Sequence, residues 1–212
     1  MKNFKLPIGV YAITDSKSSK GKVFIEYCEE LLKAGVKIIQ YREKNKNIKE
    51  VLEEAKQLRE LTLKYDVTFI VNDYLDIALI VDADGIHIGQ GDLPIKDVRK
   101  VFGDDKIIGI STHNPEEAKQ AILDGADYIG VGPIYHTETK VDVCAPVTLE
   151  YLEYVEKNIS IPYVAIGGIK EHNLEEVISK GAKSICLVSE LVGAEDTYSK
   201  TKTINERIIS SY

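Results

Sequence analysis

One pattern recurs four times along the chain: a helix-like stretch, a small turn, then a short apolar run. It appears as AGVKIIQYRE (34–43), VDADGIHIGQ (81–90), DGADYIGVGP (124–133) and KGAKSICLVS (180–189). Glycine at or near the turn supplies the left-handed conformation that commonly ends a helix, and the β-branched residues after it suit a buried strand. Between these units lie GVYAIT (9–14), VTFIVN (67–72), KIIGIS (106–111) and IPYVAIG (161–167). All eight runs are apolar on both faces, as strands of a helix-covered parallel sheet should be. Charge-rich amphipathic segments alternate with them, among them 48–65, 115–125 and 171–181. In the first, Val51, Leu52, Ala55, Leu58, Leu61 and Thr62 share one stripe.

Eight strands alternating with helices in 212 residues is the arithmetic of an α/β fold, a compact (β/α)8 barrel. A quarter-barrel unit repeated four times closes naturally; an open doubly wound sheet is the alternative, because alternation alone does not specify closure. No Pro/Gly/Ser-rich linker or composition break divides the chain, so a single domain over 1–212 is expected.

With 27 basic and 34 acidic side chains the formal charge is −7 and the pI near 5.2, which argues against a nucleic-acid partner. A hydrophobic share of 44% excludes a disordered chain. Three widely spaced cysteines, Cys28, Cys144 and Cys186, indicate neither a disulfide framework nor a thiol metal site and are expected as small buried hydrophobes in a reducing compartment. No run approaches the ~18 apolar residues that span a bilayer, and MKNFKLPIGVYAITD lacks the features of a secretory signal. A soluble, cytoplasmic protein without a membrane partner is expected, its oligomeric state, homo-oligomer included, left open.

In such a barrel the chemistry belongs at the C-terminal ends of the strands. There the sequence offers Gln40-Tyr41-Arg42-Glu43-Lys44, Asn72-Asp73, an HIGQGD run ending at Asp92, Ser111-Thr112-His113, a loop with Thr137-Glu138-Thr139-Lys140, Gly167-Gly168, and Val188-Ser189. Gln40, Arg42 and Lys44 alternate and so face one side of an extended segment. Their two cations make an anion clamp, a guanidinium gripping phosphate in two places and an ammonium adding a point charge. The chain holds 23 Lys but only four Arg, so Arg42 is not background. Asp73 and Asp92 read together as oxygen ligands for Mg2+, which typically takes one or two carboxylates plus substrate phosphates; a helix N-cap is the competing reading of each alone. Asp82 and Asp84 fall at the opposite end of the barrel. Gly167-Gly168 with Val188-Ser189 makes a backbone phosphate cup of the kind found after strands 7 and 8. Two anion sites facing each other suggest transfer between two phosphate-bearing substrates.

At these residues the sequence resembles the thiamine phosphate synthase family, from YAITD (11–15) to VSELVGAED (188–196), through QYREK (40–44), VNDYLDIAL (71–79), DGIHIGQGDLP (84–94), IGISTHN (108–114), GVGPIYHTETK (130–140) and AIGGI (165–169). The resemblance implies a TIM barrel, a transferase joining hydroxymethylpyrimidine diphosphate to hydroxyethylthiazole phosphate, with thiamine phosphate and pyrophosphate as products. It implies dissociative chemistry, Mg2+ bound by Asp73 and Asp92, and a pyrimidine diphosphate held by Gln40, Arg42, Lys44, Asn72, Ser111 and Lys140, with Tyr41 and Glu43 of the QYREK segment also counted as substrate-binding. Thr137, Glu138, Thr139, Gly167, Val188 and Ser189 match the positions that receive the thiazole phosphate, and Arg42, Lys44 and Lys140 are the expected catalytic cations. Two positions depart from the family pattern: His136 stands where Pro is common, and Glu190 where a small residue is usual. A carboxylate aimed at phosphate would weaken binding, so Glu190 is expected to turn away. Two alternatives stay open: a thiazole tautomerase on the same barrel with His113 shuttling a proton, and a non-catalytic phosphometabolite sensor.

Overall fold

The computed structural model describes residues 4–139 and 144–212. Eight parallel strands close in sequence order, β1 Gly9–Ile13, β2 Ile38–Tyr41, β3 Thr68–Asn72, β4 Gly85–Ile88, β5 Ile107–Thr112, β6 Tyr128–Val131, β7 Tyr163–Ile166 and β8 Ser184–Cys186. The helices between them are α1 Phe24–Lys33, α2 Ile48–Tyr65, α3 Leu75–Ile80, α4 Ile95–Phe102, α5 Pro115–Asp124, α6 Thr148–Asn158, α7 Leu174–Ser179, α8 Val188–Val192 and α9 Thr197–Ser210. The barrel is closed, not an open sheet.

Alternation along each strand divides the core in two. Outward residues such as Val10, Ile39, Phe69, Ile86, Ile108 and Ile129 pack against the helices. Their neighbours Tyr11, Ile13, Ile38, Ile70, Tyr128, Val164 and Cys186 fill the barrel itself. The inner face is not uniformly apolar, as the runs suggested, for Gln40, Asn72, His87 and Ser184 are buried there too. The interior closes around its large side chains by using glycine. A Cβ on Gly109 would stand 2.1 Å from Cζ of Tyr128, its register partner on β6.

The helix-to-strand turns behave as the repeat implies. Gly35, Gly125 and Gly181 have φ of +91°, +90° and +94°, and in the remaining unit Asp82 takes the left-handed role at φ 49°. At this end of the barrel the carboxylates tie strands together. Asp84 accepts from Phe69 N at 2.8 Å and from Arg59 at 3.0 and 3.2 Å; Asp127 accepts from Ile108 N at 2.8 Å and from Arg99 at 2.6 Å. Asp82 and Asp84 therefore serve the fold, as their position predicted.

Two details differ from expectation. The segment 171–181 is a 3-10 turn, Glu171–Asn173, followed by the short α7. Cys28 and Cys186 are buried but Cys144 is exposed. The polar run TYSKTKT belongs to α9, because Asp196 caps it through Ser199 N at 2.8 Å while Thr197 and Thr201 face inward. From α9, Asn205 Oδ1 accepts from Val10 N at 2.8 Å, which fastens the last helix over β1 beside β8, where Gly9 N donates to Lys183 O at 2.9 Å. Among the described residues no helix is long and apolar enough to cross a membrane.

The tight fit inside the barrel predicts that Gly109→Ala forces the Tyr128 ring aside. Overpacking of this kind costs about 1–3 kcal/mol, readable as a lowered denaturant midpoint. An unchanged midpoint would mean that Tyr128 does not fill the space over β5.

Candidate active site

A cavity of about 540 Å3 opens at the C-terminal ends of the strands. Of the residues singled out in the sequence, Arg42, Ser111, Thr137, Glu138, Thr139, Gly167, Val188 and Ser189 line it, drawn from β2, β5 and the loops after β6, β7 and β8. Regions distant in sequence thus meet in one space. Lys140 lies outside the described residues.

The QYREK segment splits by parity. Gln40 points into the barrel and donates to Tyr11 Oη at 2.9 Å. Arg42 reaches the cavity and is held from behind by Asp15, Nη1 to Oδ1 at 3.2 Å. Lys44 pairs with Asp73 at the rim. Tyr41 and Glu43 face the other way: Tyr41 donates to Glu54 on α2 at 3.0 Å, and Glu43 accepts from the backbone of Lys44 and Asn45, both at 2.7 Å. Burial opposes the charged form of Glu43, but hydrogen bonds from Ser16, Asn45 and Lys44 outweigh it and hold its pKa below the ordinary value. The side chains of Tyr41 and Glu43 hold the backbone that carries Arg42 and Lys44, and stand outside the cavity.

Asn72 ends β3, and Asp73 follows it at φ 61°, inside a three-residue turn closed by Tyr74 N to Asn72 O at 2.8 Å. A non-glycine residue held in this region stores strain of about 1–3 kcal/mol, and such strain concentrates at functional sites. Asp73 N also donates to His87 O at 2.9 Å, which sets the β3 loop beside the end of β4. Asp92 accepts from Gly89 N at 2.6 Å in the loop after β4. Neither carboxylate caps a helix: Tyr74 and Pro94 hold the cap positions of α3 and α4. The donor set is oxygen-only, carboxylates on adjacent loops. Among the described residues no cluster of three or more His, Cys, Asp or Glu could hold a metal by itself. These residues fit a hard cation such as Mg2+ that completes its shell with substrate phosphate and water.

On the opposite wall two loops press together. Ile134 N donates to Ile166 O and Tyr135 N to Gly167 O, both at 2.9 Å. Gly167 and Gly168 have φ of +98° and +65°, and a Cβ on either would meet Pro133 Cα or His136 O at 2.4 Å. The Gly-Gly pair therefore lets the 133–139 loop lie across the end of β7. Val188 and Ser189 open α8, where first-turn N–H groups have no helical partner. Glu190 turns away as expected, paired with Lys200 at 3.2 Å and Lys170 at 3.5 Å.

Two contributors were missed in the sequence. Asp15 orients Arg42, and Lys170 lines the cavity with its Nζ donating to Ser189 Oγ at 2.7 Å. Lys170 follows the Gly-Gly-Ile segment directly, so its place beside the cup was open to inspection. His113 also lines the cavity, its Nδ1 2.8 Å from Glu117 Oε2 at the start of α5. Gln90 donates to Ser111 O at 2.7 Å and steadies that strand end.

A closed parallel (β/α)8 barrel with Arg42, Lys170 and the Gly167-Gly168 wall around one cavity at the strand ends has the architecture of an enzyme barrel. Residues 10–191 match the family described as thiamine monophosphate synthase, and the chain belongs to that family. It is 55% identical over 199 residues to the thiamine-phosphate synthase of Pelotomaculum thermopropionicum, covering 94% of this chain and 91% of that one. It is 49% identical over 207 residues to the thiamine-phosphate synthase of Lawsonia intracellularis, covering 98% and 95%. Among solved structures, thiamine phosphate pyrophosphorylase from Pyrococcus furiosus superposes with a TM-score of 0.87 at 37% identity, over 96% of both chains.

The crossing of the two loops predicts that Gly167→Ala lowers thermal stability by about 1–3 kcal/mol through left-handed strain alone, and also lifts the 133–139 loop off β7. Increased hydrogen exchange at the Ile134 and Tyr135 amides would report the second effect; protection equal to wild type there would contradict the packing described.

Proposed function

We propose that this barrel joins hydroxymethylpyrimidine diphosphate to hydroxyethylthiazole phosphate, releasing pyrophosphate and forming thiamine phosphate. The observation that carries the reading is the cavity itself. It sets the Arg42 guanidinium and Ser111 on one side and the Gly167, Val188 and Ser189 cup on the other, within one space of about 540 Å3. That is room for two small phosphorylated molecules in contact.

In the proposed step the bond between the pyrimidine methylene carbon and the diphosphate oxygen breaks, and the departing pyrophosphate takes the electron pair. The thiazole nitrogen then donates its lone pair to the methylene cation and forms the new carbon–nitrogen bond. No proton transfer is needed for either event, so the work is electrostatic and positional. Arg42, held by Asp15, faces the leaving group with a planar fork of donors; Lys44 and Lys140 are proposed to add point charges to it. Asp73 and Asp92 would hold Mg2+, which when bound neutralises diphosphate charge. Gln40, Asn72 and Ser111 are assigned to the pyrimidine. Thr137, Glu138 and Thr139 with the backbone at Gly167, Val188 and Ser189 are assigned to the thiazole phosphate, and Lys170 joins them as a cation at the phosphate end.

Mixing both precursors with the protein and Mg2+ should release one pyrophosphate per thiamine phosphate, and chelation should stop it. No turnover by folded protein would sink the reading; tautomer interconversion of a thiazole carboxylate without metal would favour the isomerase. Arg42→Lys, which keeps a cation beside Asp15, should lower kcat/KM by about tenfold or more with the melting temperature retained. Lys170→Ala should raise KM for the thiazole phosphate by about tenfold and leave KM for the pyrimidine diphosphate unchanged; equal effects on both substrates would remove Lys170 from the cup.

A further inference from the structure

Inside the barrel a continuous chain of hydrogen bonds joins two of the residues assigned to the pyrimidine. Gln40 Nε2 donates to Tyr11 Oη at 2.9 Å, Tyr11 Oη lies 2.7 Å from Tyr128 Oη, Tyr128 Oη lies 3.0 Å from His87 Nδ1, and His87 Nε2 lies 3.0 Å from Ser111 Oγ. Tyr11 and Tyr128 are 1% and 0% exposed, Gln40 2% and His87 8%. The chain crosses from β2 through β1, β6 and β4 to β5, so five strands contribute one residue each. Glycine clears its path: Gly109 leaves space for the Tyr128 ring, and a Cβ on Gly130 would stand 3.4 Å from His87 Cε1.

Counting protons couples the chain, so that the orientation of the Gln40 amide sets the role of every other member. Each phenol has one proton, and a buried hydroxyl left without an acceptor costs about 1–3 kcal/mol. With Gln40 Nε2–H donating to Tyr11, Tyr11 uses its proton on Tyr128, and Tyr128 uses its own on His87 Nδ1. The remaining imidazole proton then sits on Nε2 and is donated to Ser111 Oγ, so the serine proton points outward, into the cavity. The opposite polarity from the same Gln40 orientation would make Tyr11 accept twice and strand its proton in the core. Turning the amide over reverses every member together, so that Gln40 would show N–H groups outward and Ser111 a lone pair.

We infer that Tyr11, Tyr128 and His87 are positioning residues that lock Gln40 and Ser111 into complementary roles, an acceptor carbonyl on β2 and a donor hydroxyl on β5. The ligand edge this selects is one that carries both an N–H donor and a ring-nitrogen acceptor, as an aminopyrimidine does. The inference rests on the proposed placement of the pyrimidine between Gln40 and Ser111. It adds that the discrimination is built beneath the site, by residues that touch no substrate.

Tyr128→Phe keeps the ring and removes the central link; Tyr11→Phe cuts the chain one residue nearer Gln40 and serves if the first variant fails to fold. In wild-type protein, 15N NMR should show His87 as the Nε2–H tautomer, and in Tyr128→Phe a mixture. The variant should lose about tenfold in kcat/KM for the pyrimidine diphosphate, with KM for the thiazole phosphate within about twofold of wild type. An Nδ1–H tautomer or doubly protonated ring in wild type would overturn the direction. Unchanged kinetics, or equal losses for both substrates alongside a lowered melting temperature, would overturn the positioning role. Absence of turnover in wild type would instead strike the proposed reaction, and the tautomer measurement would still decide the direction of the chain.

Discussion

Closure of a parallel sheet gives each strand residue only two destinations, the barrel interior or the helical shell, and most of the structure follows from that. Successive side chains alternate between them, so QYREK is sorted by parity as well as by residue type. Gln40 and Arg42 follow the inner row upward, from the barrel interior into the cavity, while Tyr41 and Glu43 follow the outer row and fasten the strand to α2 and its own loop. The same alternation leaves the inner row apolar at Ile38, Ile70 and Val164 and polar at Gln40, Asn72 and His87. Gln40 and His87 stand in so tight a space because Tyr11, Tyr128 and Ser111 partner them, an unpaired buried group costing more than a formed hydrogen bond returns. Hence the interior that fills the fold also shapes the floor of the site.

The two sides of the cavity are built differently. On the β2–β4 side the cations are side chains held by counter-charges: Arg42 by Asp15, Lys44 by Asp73. On the β6–β8 side the fold supplies backbone, brought close because Gly167 and Gly168 admit the loop that crosses them. Lys170 adds one side-chain cation to the backbone side, and Glu190 is drawn from the cup by Lys170 and Lys200. An acidic chain thus keeps cations at one mouth while its aspartates at the other mouth bind strand amides.

Much of this was legible in the sequence because the signals were local. The eight apolar runs each coincide with a strand to within a residue or contain one, and α2 spans 48–65 as the stripe of Val51, Ala55 and Leu58 requires. The left-handed glycines fell where the repeat put them, and the family motifs placed Arg42, Ser111, Gly167 and Ser189 at one end. What stayed hidden depends on register between strands far apart in sequence. Tyr11 and Tyr128 are 117 residues apart, and Lys170 and Ser189 follow two neighbouring strands, β7 and β8. The alternation separates Tyr41 and Glu43 from Gln40, Arg42 and Lys44, although the family motif spans all five QYREK residues. Thr197 and Thr201 are polar in type, and only the packing of α9 turns them toward the core.

The central claim is that one cavity holds two separate anion sites, one served by side-chain cations and carboxylates, the other by glycine-bordered backbone and Lys170. Binding of pyrophosphate and of the thiazole phosphate, measured calorimetrically with and without Mg2+, tests it directly. The account predicts that Mg2+ strengthens pyrophosphate binding, that Asp73→Asn abolishes this gain, and that the thiazole phosphate binds equally well with or without metal. Mutual exclusion of the two ligands, or an equal dependence of both on Mg2+, would contradict it.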